Sequence, residues 1–220
     1  MNDITILAHR GISNNSFEDN TLEAFCRVKE INSKFKLGLE FDVQITLDNE
    51  LILFHDSNLE DIVVERSLYS SILDKKSNIQ RLEDLFKEFH NTDYILNIEL
   101  KYYNDNNSRV KTFSNILLKI INKYNIKYII SSYKKELINE LKNKKIENCF
   151  YISENLKDKS TDITKFDLYQ FYNNVKGVYT LYDGENFDES VINDIIKSNI
   201  IYLITDNVEK LNSYLNRILI

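Results

Sequence analysis

The chain has 220 residues, of which 43% are hydrophobic and 28% charged, and its formal net charge is −6 at pH 7. These values are typical of a globular protein with a full hydrophobic core, and we expect a single domain over residues 1–220. The excess of acidic residues argues against a nucleic-acid partner, because such binding needs clustered lysine and arginine.

The N-terminal stretch "MNDITILAHRG" has no basic region and only a short apolar run, so we expect no secretory signal. No window of the sequence approaches the roughly 18 apolar residues that a membrane span needs. Cys26 and Cys149 lack metal-type spacing and are expected to be reduced thiols. We therefore expect a cytoplasmic protein without a membrane span.

Short β-rich runs alternate with helical patterns along the chain. Eight strands are predicted, at 4–9, 37–43, 94–100, 127–132, 149–153, 166–171, 176–181 and 201–205. Six helices are predicted from apolar residues spaced three to four apart, at 20–33, 80–90, 108–124, 134–145, 187–198 and 207–219. Strands that alternate with helices pair in parallel through right-handed crossovers, so eight such units predict an α/β fold of the (β/α)8 TIM-barrel type.

One unit of this barrel departs from the pattern. Only the residues "YNNV" separate the sixth predicted strand from the seventh. This connection is too short for a crossover helix. Either the barrel is irregular here, with a missing helix between strands 6 and 7, or one of the strands is misassigned.

Charged side chains fall where the predicted strands end. The stretch "LEFDVQITLDNELILFHD" at 39–56 is typical of a β-hairpin, yet it carries two carboxylates and a His-Asp pair. In "EFD" and in "ELK" the charged residues are two apart, which puts both on one face of a strand. Because the carboxyl ends of barrel strands meet at one mouth, we expect these candidate site residues to converge there: His9, Arg10, Glu40, Asp42, His55, Glu99 and Lys101.

Three of these residues, Glu40, Asp42 and Glu99, would repel one another unless a cation neutralises them. An all-oxygen set suits one divalent cation, Mg²⁺ or Ca²⁺, better than Zn²⁺. Arg10 and Lys101 would then lie beside the metal, where a phosphate is the natural ligand. The alternative is that Glu40 and Asp42 form salt bridges with Arg10 and Lys101 without any metal.

Six short motifs follow one another in the order of a known family. They are "AHRG" at 8–11, "DNT" at 19–21, "EFD" at 40–42, "HD" at 55–56, "IELK" at 98–101 and "ITDN" at 204–207. In these motifs the chain resembles the glycerophosphodiester phosphodiesterases over nearly its whole length. The resemblance implies a TIM barrel in which Glu40, Asp42 and Glu99 bind the metal, His9 and His55 act as general acid and base, and Arg10 and Lys101 contact the phosphate.

The chain departs from this family at several points. The family's Glu-Asn-Thr motif is Asp19-Asn20-Thr21 here, which leaves the roles of Glu18 and Asp19 open. Residues 57–81 correspond to the family's small cap over the barrel mouth but lack its Arg-Thr-Thr stretch. Tyr179 precedes Thr180 where the family has Trp-Thr. Tyr133 and Asp206 also fall at strand ends, where lining the mouth and a surface position are equally open, and His90 is expected at the surface.

The resemblance implies metal-dependent hydrolysis of a glycerophosphodiester to glycerol phosphate and an alcohol, through a cyclic phosphate intermediate. The substrate would be a small glycerophosphodiester or a glycerophosphate-bearing glycan, and either histidine could begin as the base. Two alternatives are an inactive barrel that only binds a phosphorylated ligand and a phospholipase D-like lipid phosphodiesterase.

Overall fold

The computed structural model describes residues 4–13, 17–104, 107–155, 157–158, 160–165, 175–180, 197–198 and 200–218. The strands of this part of the chain are β1 (Thr5–His9), β2 (Lys36–Ile45), β3 (Leu51–Leu53), β4 (Asn58–Leu59), β5 (Ile62–Val63), β6 (Ile95–Leu100), β7 (Lys127–Ser132), β8 (Cys149–Tyr151), β9 (Ile163–Lys165), β10 (Gly177–Tyr179) and β11 (Tyr202–Thr205).

All of these strands except β3, β4 and β5 form one parallel barrel in chain order. β1 pairs with β2 on one side and with β11 on the other, which joins the two ends of the series. On the opposite side, β8 and β9 meet at a single parallel bridge between Ile152 and Ile163. The predicted eight-stranded parallel barrel is therefore confirmed.

The helices of the described residues are α1 (Leu22–Cys26), α2 (Tyr69–Lys75), α3 (Leu82–Phe89), α4 (Val110–Ile121), α5 (Lys135–Asn143) and α6 (Val208–Ile218). All of them except α2 cover the outside of the barrel, whereas α2 lies in the segment after the hairpin. Each long helix buries one apolar stripe, as α3 does with Leu82, Leu85, Phe86 and Phe89. Among the described residues, no helix combines the length and the apolar character that crossing a membrane would require.

The core has two layers. A large outer layer fills the space between strands and helices. A small inner layer fills the barrel itself with Leu7, Ile129, Ile152, Ile163, Tyr179 and Ile204. Gly38 is required in this interior, because a Cβ there would lie 2.2 Å from the carbonyl oxygen of Ile95 and 2.6 Å from Leu7 Cδ2.

The helix predicted at 20–33 is shorter than expected. α1 ends at Cys26, and a 3₁₀-helix, Arg27–Glu30, completes the segment. The apolar residues Leu22, Phe25, Val28 and Ile31 recur every three positions. This spacing matches the 3.0-residue period of a 3₁₀-helix, whereas the prediction took it as an α-helical stripe.

The sixth strand begins earlier than predicted, and its described part is Ile163–Lys165. The residues predicted for it, 166–171, and most of the short connection "YNNV" lie outside the described residues. So do residues 187–196 of the helix predicted at 187–198. The expectation of a missing helix between strands 6 and 7 therefore remains a prediction.

The predicted hairpin at 39–56 is confirmed, since β3 pairs antiparallel with the end of β2 from Val43–Leu53 to Ile45–Leu51. After it, residues 57–81 form the two-stranded β4–β5 sheet, a short 3₁₀-helix, Val64–Arg66, and α2. This segment has its own apolar cluster, formed by Val64, Ile72 and Ile79 packed on Ile52 of β3.

Candidate active site

The carboxyl ends of β1, β2 and β6 bring the first predicted site residues together. Parallel pairing places His9 beside Glu40, and Asp42 beside Glu99. All four of these side chains are buried. The sequence argument that charges at adjacent strand ends converge on one mouth is therefore confirmed for these residues.

The turn after β1 explains why Arg10 can face the mouth. Arg10 and Gly11 both adopt left-handed backbone conformations, with φ of 57° and 89°. A non-glycine residue in this region is strained, and it persists only where its surroundings hold it. The Arg10 N–H donates to the backbone oxygen of Glu40 at 2.8 Å. A Cβ at Gly11 would lie 2.8 Å from the backbone of Ala24, so a larger residue does not fit there.

His55 is held through the backbone on both of its sides. The Gln44 side chain donates to the carbonyl oxygens of Phe54 at 2.9 Å and of Asp56 at 2.6 Å. The Tyr103 hydroxyl donates to the carbonyl oxygen of His55 at 2.5 Å. Gln44 and Tyr103 therefore position this histidine, although neither residue was predicted from the sequence as a site residue.

The three predicted metal ligands form a compact cluster. One oxygen from each of Glu40, Asp42 and Glu99 lies within 4.8 Å of the others. Burial, followed by the charges of Asp42 and Glu99, raises the pKa of Glu40 well above its usual value. Burial also acts to raise the pKa of Asp42, but the charges of Lys101 and Arg10 outweigh it and the net shift is downward.

Two cations contact this cluster, and Asp42 pairs with both of them, as the metal-free alternative predicted for this residue. Arg10 Nε lies 3.3 Å from Asp42 Oδ2, and Lys101 Nζ lies 3.2 Å from Asp42 Oδ1 and also contacts Glu99. Burial lowers the pKa of Lys101, but the charges of Glu99 and Asp42 outweigh it and raise the pKa above its usual value. These contacts therefore keep Lys101 protonated.

The cluster has one acidic group more than it has cations, because three carboxyl groups face the side chains of Arg10 and Lys101. Glu40 Oε1 is buried and has no hydrogen-bond partner among the described residues. The other oxygen of this carboxylate, Oε2, accepts from the Arg10 N–H at 3.2 Å and lies 3.7 Å from His9 Nε2. A buried oxygen in this state is costly unless something binds it. The donor set therefore fits one hard divalent cation.

Both histidines contact a neighbouring aspartate through Nδ1. His9 Nδ1 lies 2.6 Å from Asp206 Oδ1, and His55 Nδ1 lies 2.7 Å from Asp56 Oδ1. His9 also packs edge-on against the ring of Tyr179, whose hydroxyl donates to Glu99 Oε2 at 2.8 Å. Asp206 therefore lies at the mouth, which the sequence left open.

The "DNT" motif supports the cluster through its middle residue. The Asn20 side chain donates to Asp42 Oδ2 at 2.8 Å and accepts from the Asp42 N–H at 3.0 Å. Asp19 lies 3.8 Å from Arg10, whereas Glu18 points to Lys76 at 2.6 Å. The role of Asn20 was not predicted, although its place in the "DNT" motif is the feature of the sequence that could have indicated it.

Beside the cluster lies a cavity of about 430 Å³, which Glu99 of the cluster helps to line. Its walls are formed by His9, Arg10, His55, Glu99, Leu100, Lys101, Tyr102, Tyr103, Tyr133, Lys134, Glu154, Lys165 and Tyr179. A second cavity of similar volume, toward Phe17, Asp19 and Lys76, shares Arg10 and His55 with the first. Tyr133 therefore lines the mouth. His90 ends α3, is exposed and lies outside the walls of both cavities, as predicted.

Fold and site together define a TIM-type barrel with an acidic centre at its mouth that is suited to a divalent cation. Residues 9–214 match the model of the glycerophosphoryl diester phosphodiesterase family. The chain belongs to this family.

Individual relatives agree with this assignment. A glycerophosphodiester phosphodiesterase from Caldanaerobacter subterraneus is 30% identical over 158 residues, which cover 62% of this chain and 61% of that protein, less than two thirds of its length.

Solved structures of low sequence identity have the same fold. A glycerophosphodiester phosphodiesterase from Parabacteroides distasonis superposes with a TM-score of 0.79, with 18% identity and coverage of 98% of both chains. A phosphodiesterase from Oleispira antarctica, solved in complex with the product sn-glycerol-3-phosphate, has a TM-score of 0.72 and 16% identity, and the superposition covers 98% of this chain and 97% of that one.

Proposed function

We propose that this protein hydrolyses a glycerophosphodiester to glycerol phosphate and an alcohol. The observation that carries the proposal is a cluster of three buried carboxylates beside one cavity, which Glu99 of this cluster lines together with two cations and two aspartate-paired histidines. The product found in the Oleispira structure, sn-glycerol-3-phosphate, supports this class of substrate. The substrate is a small glycerophosphodiester or a glycerophosphate-bearing glycan.

Glu40, Asp42 and Glu99 would hold one divalent cation, Mg²⁺ or Ca²⁺. Such an ion supplies positive charge to the phosphoryl oxygens and lowers the pKa of a hydroxyl that it contacts. The oxygen Glu40 Oε1, which is buried without a hydrogen-bond partner among the described residues, supports this assignment.

Arg10 and Lys101 bind the phosphate in this proposal. Both line the cavity, and both already contact carboxylates. When the negative charge of those carboxylates is taken up by a cation, the two side chains can donate to phosphoryl oxygens instead. Arg10 offers a planar fork and Lys101 a point charge, and both stabilise the charge that grows on the phosphate during reaction.

The histidines move the protons. One takes the proton of the glycerol hydroxyl next to the phosphate, and that oxygen forms a new bond to phosphorus. The other donates a proton to the alcohol oxygen as its bond to phosphorus breaks, which leaves a cyclic glycerol phosphate. Water then opens the ring with the two roles reversed. Each histidine contributes about 10² to 10⁴ in rate.

Release of glycerol phosphate from a panel of glycerophosphodiesters tests the proposal, with Mg²⁺, Ca²⁺ or EDTA present. Wild type should turn over only with a metal, and His9→Ala, His55→Ala and Glu40→Gln should each lower kcat by about 10² or more. His90→Ala and Glu147→Gln change an exposed histidine and an exposed glutamate and should leave kcat unchanged.

Two results would contradict the proposal. Turnover that survives both EDTA and His9→Ala would mean that the site assignment is wrong. A folded protein that binds Mg²⁺ or Ca²⁺ but releases no glycerol phosphate from any diester would favour the binding barrel.

Residues 57–81 are proposed to cap the mouth, and the single-domain organisation and the cytoplasmic location remain predictions.

A further inference from the structure

The mouth of the barrel has a second polar side, which the proposed reaction does not use. Glu154 follows β8, Lys165 is the last residue of β9, and Tyr133 follows β7. The Tyr133 hydroxyl donates to Glu154 Oε1 at 3.1 Å, and Lys165 Nζ lies 3.2 Å from Glu154 Oε2. All three line the same cavity as His9 and Lys101. We call Tyr133, Glu154 and Lys165 the far-side group.

A phosphodiester carries two alcohols, and the geometry separates them. The proposed metal ligands and the phosphate-binding cations belong to β1, β2 and β6, so phosphate and glycerol occupy that side. The far-side group lies at the ends of β7, β8 and β9, the next strands around the barrel, and begins with Tyr133, whose ring centroid is 5.6 Å from Lys101 Nζ. An alcohol that leaves the phosphate within this cavity therefore meets the far-side group.

The chemistry of this group favours one class of alcohol. Glu154 can accept hydrogen bonds, while Lys165 and Tyr133 can donate them, and the side chains of Glu154 and Lys165 are 39% and 48% exposed, so both can reach a ligand. The Tyr133 ring, 45% exposed, offers an apolar face beside them. A polyhydroxy alcohol can use all of these features, because its hydroxyl groups donate and accept hydrogen bonds and its carbon skeleton can pack on the ring.

A quaternary ammonium group can use only the Tyr133 ring, and the ammonium of Lys101 already lies near this ring, with Nζ 5.6 Å from its centroid. It donates no hydrogen bonds, and it would meet the charges of Lys165 and Lys134 against the single carboxylate of Glu154. We propose that the far-side group is a specificity-determining subsite that selects a polyhydroxy leaving alcohol over a quaternary ammonium alcohol. This inference rests on the proposed function and adds the class of alcohol to it.

Three diesters that share the same glycerol phosphate half test the inference: glycerophosphoglycerol, glycerophosphoinositol and glycerophosphocholine. All three release the same product, so one assay gives kcat/KM for each. Wild type should prefer the two polyol diesters over the choline diester by about 10-fold, the effect of one or two partly exposed hydrogen bonds and a repelled charge. Lys165→Met should bring this ratio close to one, by lowering the polyol rates and raising the choline rate.

Two variants serve as comparisons. Lys127→Met removes another exposed lysine, paired with Asp93 at 2.5 Å at the start of β7, and should leave the ratio unchanged. Lys76→Met alters the second cavity and should also leave the ratio unchanged. A wild-type preference for choline, or a ratio that changes in Lys76→Met instead of Lys165→Met, would overturn the inference.

Failure of the proposed function can be distinguished from failure of this inference. If no diester is turned over, calorimetric titration of the same three diesters still decides the inference. Tighter binding of the polyol diesters that is lost in Lys165→Met would support the subsite in a barrel that only binds. Equal affinities for all three would overturn it.

Discussion

His9 Nδ1 lies 2.6 Å from Asp206 Oδ1, although the two residues stand near opposite ends of the chain. The parallel pairing of β1 with β11 brings them together, because Ala8 is the partner of Thr205. A carboxylate can only accept, so Nδ1 of His9 donates and Nε2 is left toward Glu40 and the cavity. Asp206 therefore fixes the ring orientation that the proposed proton transfer needs.

We expect Asp206→Asn to lower kcat by about 10² with little effect on KM, because the asparagine amide can present a donor to Nδ1 and favour the wrong tautomer. Asp56→Asn, at the exposed His55–Asp56 pair, should cost less than about 10-fold. Kinetics together with ¹⁵N chemical shifts of the His9 ring check this. Equal losses in both variants with an unchanged His9 tautomer would contradict it.

Asn20 combines a left-handed backbone, φ 58°, with two hydrogen bonds to buried Asp42. Asn20→Gly keeps the backbone but loses the bonds, and should lower the free energy of unfolding by about 1.5 to 3 kcal/mol. Asn20→Ala should cost about 1 kcal/mol more, since alanine also resists this conformation. Urea denaturation measures both.

Asn91 gives the matched control, because it is also left-handed, with φ 59°, but exposed. Asn91→Gly should change the free energy of unfolding by less than about 0.5 kcal/mol. If Asn20→Gly cost no more than Asn91→Gly, the support of Asp42 by Asn20 would be refuted.

Two glycines of the barrel should respond very differently to a methyl group. Gly38→Ala would place Cβ 2.2 Å from the backbone oxygen of Ile95, which cannot move without breaking the sheet, and should cost about 3 kcal/mol or more. Gly177→Ala places Cβ 3.2 Å from Tyr202 Cβ, so it should cost about 1 kcal/mol or less. Denaturation midpoints test this pair, and similar losses would mean that the barrel interior is not packed as described.

Glu65 provides a prediction on pH. Burial raises its pKa above the usual 4.5, even though it accepts from the Tyr103 N–H at 3.2 Å and lies near Arg109. The folded state therefore holds this proton more tightly than the unfolded state does. The stability that this gives is present below pH 4.5 and is lost as pH rises through the raised pKa.

Glu65→Gln replaces the carboxyl group with an amide, whose oxygen can still accept from the Tyr103 N–H but which does not titrate. Relative to wild type, this variant should gain free energy of unfolding as pH rises from about 4 to 8, as measured by urea denaturation. Glu147→Gln, at an exposed position, should run parallel to wild type over the same range. A Glu65→Gln variant that also ran parallel to wild type would contradict the pKa shift.

The sequence predicted the barrel well where periodicity is strong. β7 has the predicted bounds, and α3 lies within one to two residues of them. The prediction was wrong where an α-helical and a 3₁₀-helical repeat look alike, as in the three-residue repeat of Leu22, Phe25, Val28 and Ile31. It also missed α2, which buries only Ile72 and so has no repeat that could reveal it.

The candidate site divides in the same way. Residues at strand ends, such as Glu40 and Asp42, were predictable because parallel strands share one mouth. Gln44 was not, since its role depends on where the backbone of Phe54 and Asp56 returns after the hairpin. The pairing of Glu154 with Lys165 depends on how β8 meets β9, and no local pattern encodes that contact.

The single bridge between Ile152 and Ile163 marks the place where the ring of strands is joined by the fewest paired residues in its described part. Glu154 and Lys165 lie at this junction, while Glu40, Asp42 and Glu99 lie on β2 and β6, where the strand ladder is long. Substitutions or insertions near the junction can therefore accumulate during evolution without moving the carboxylates. Under the proposed function, this architecture would let descendants of the barrel change which alcohol they release while they keep the same chemistry.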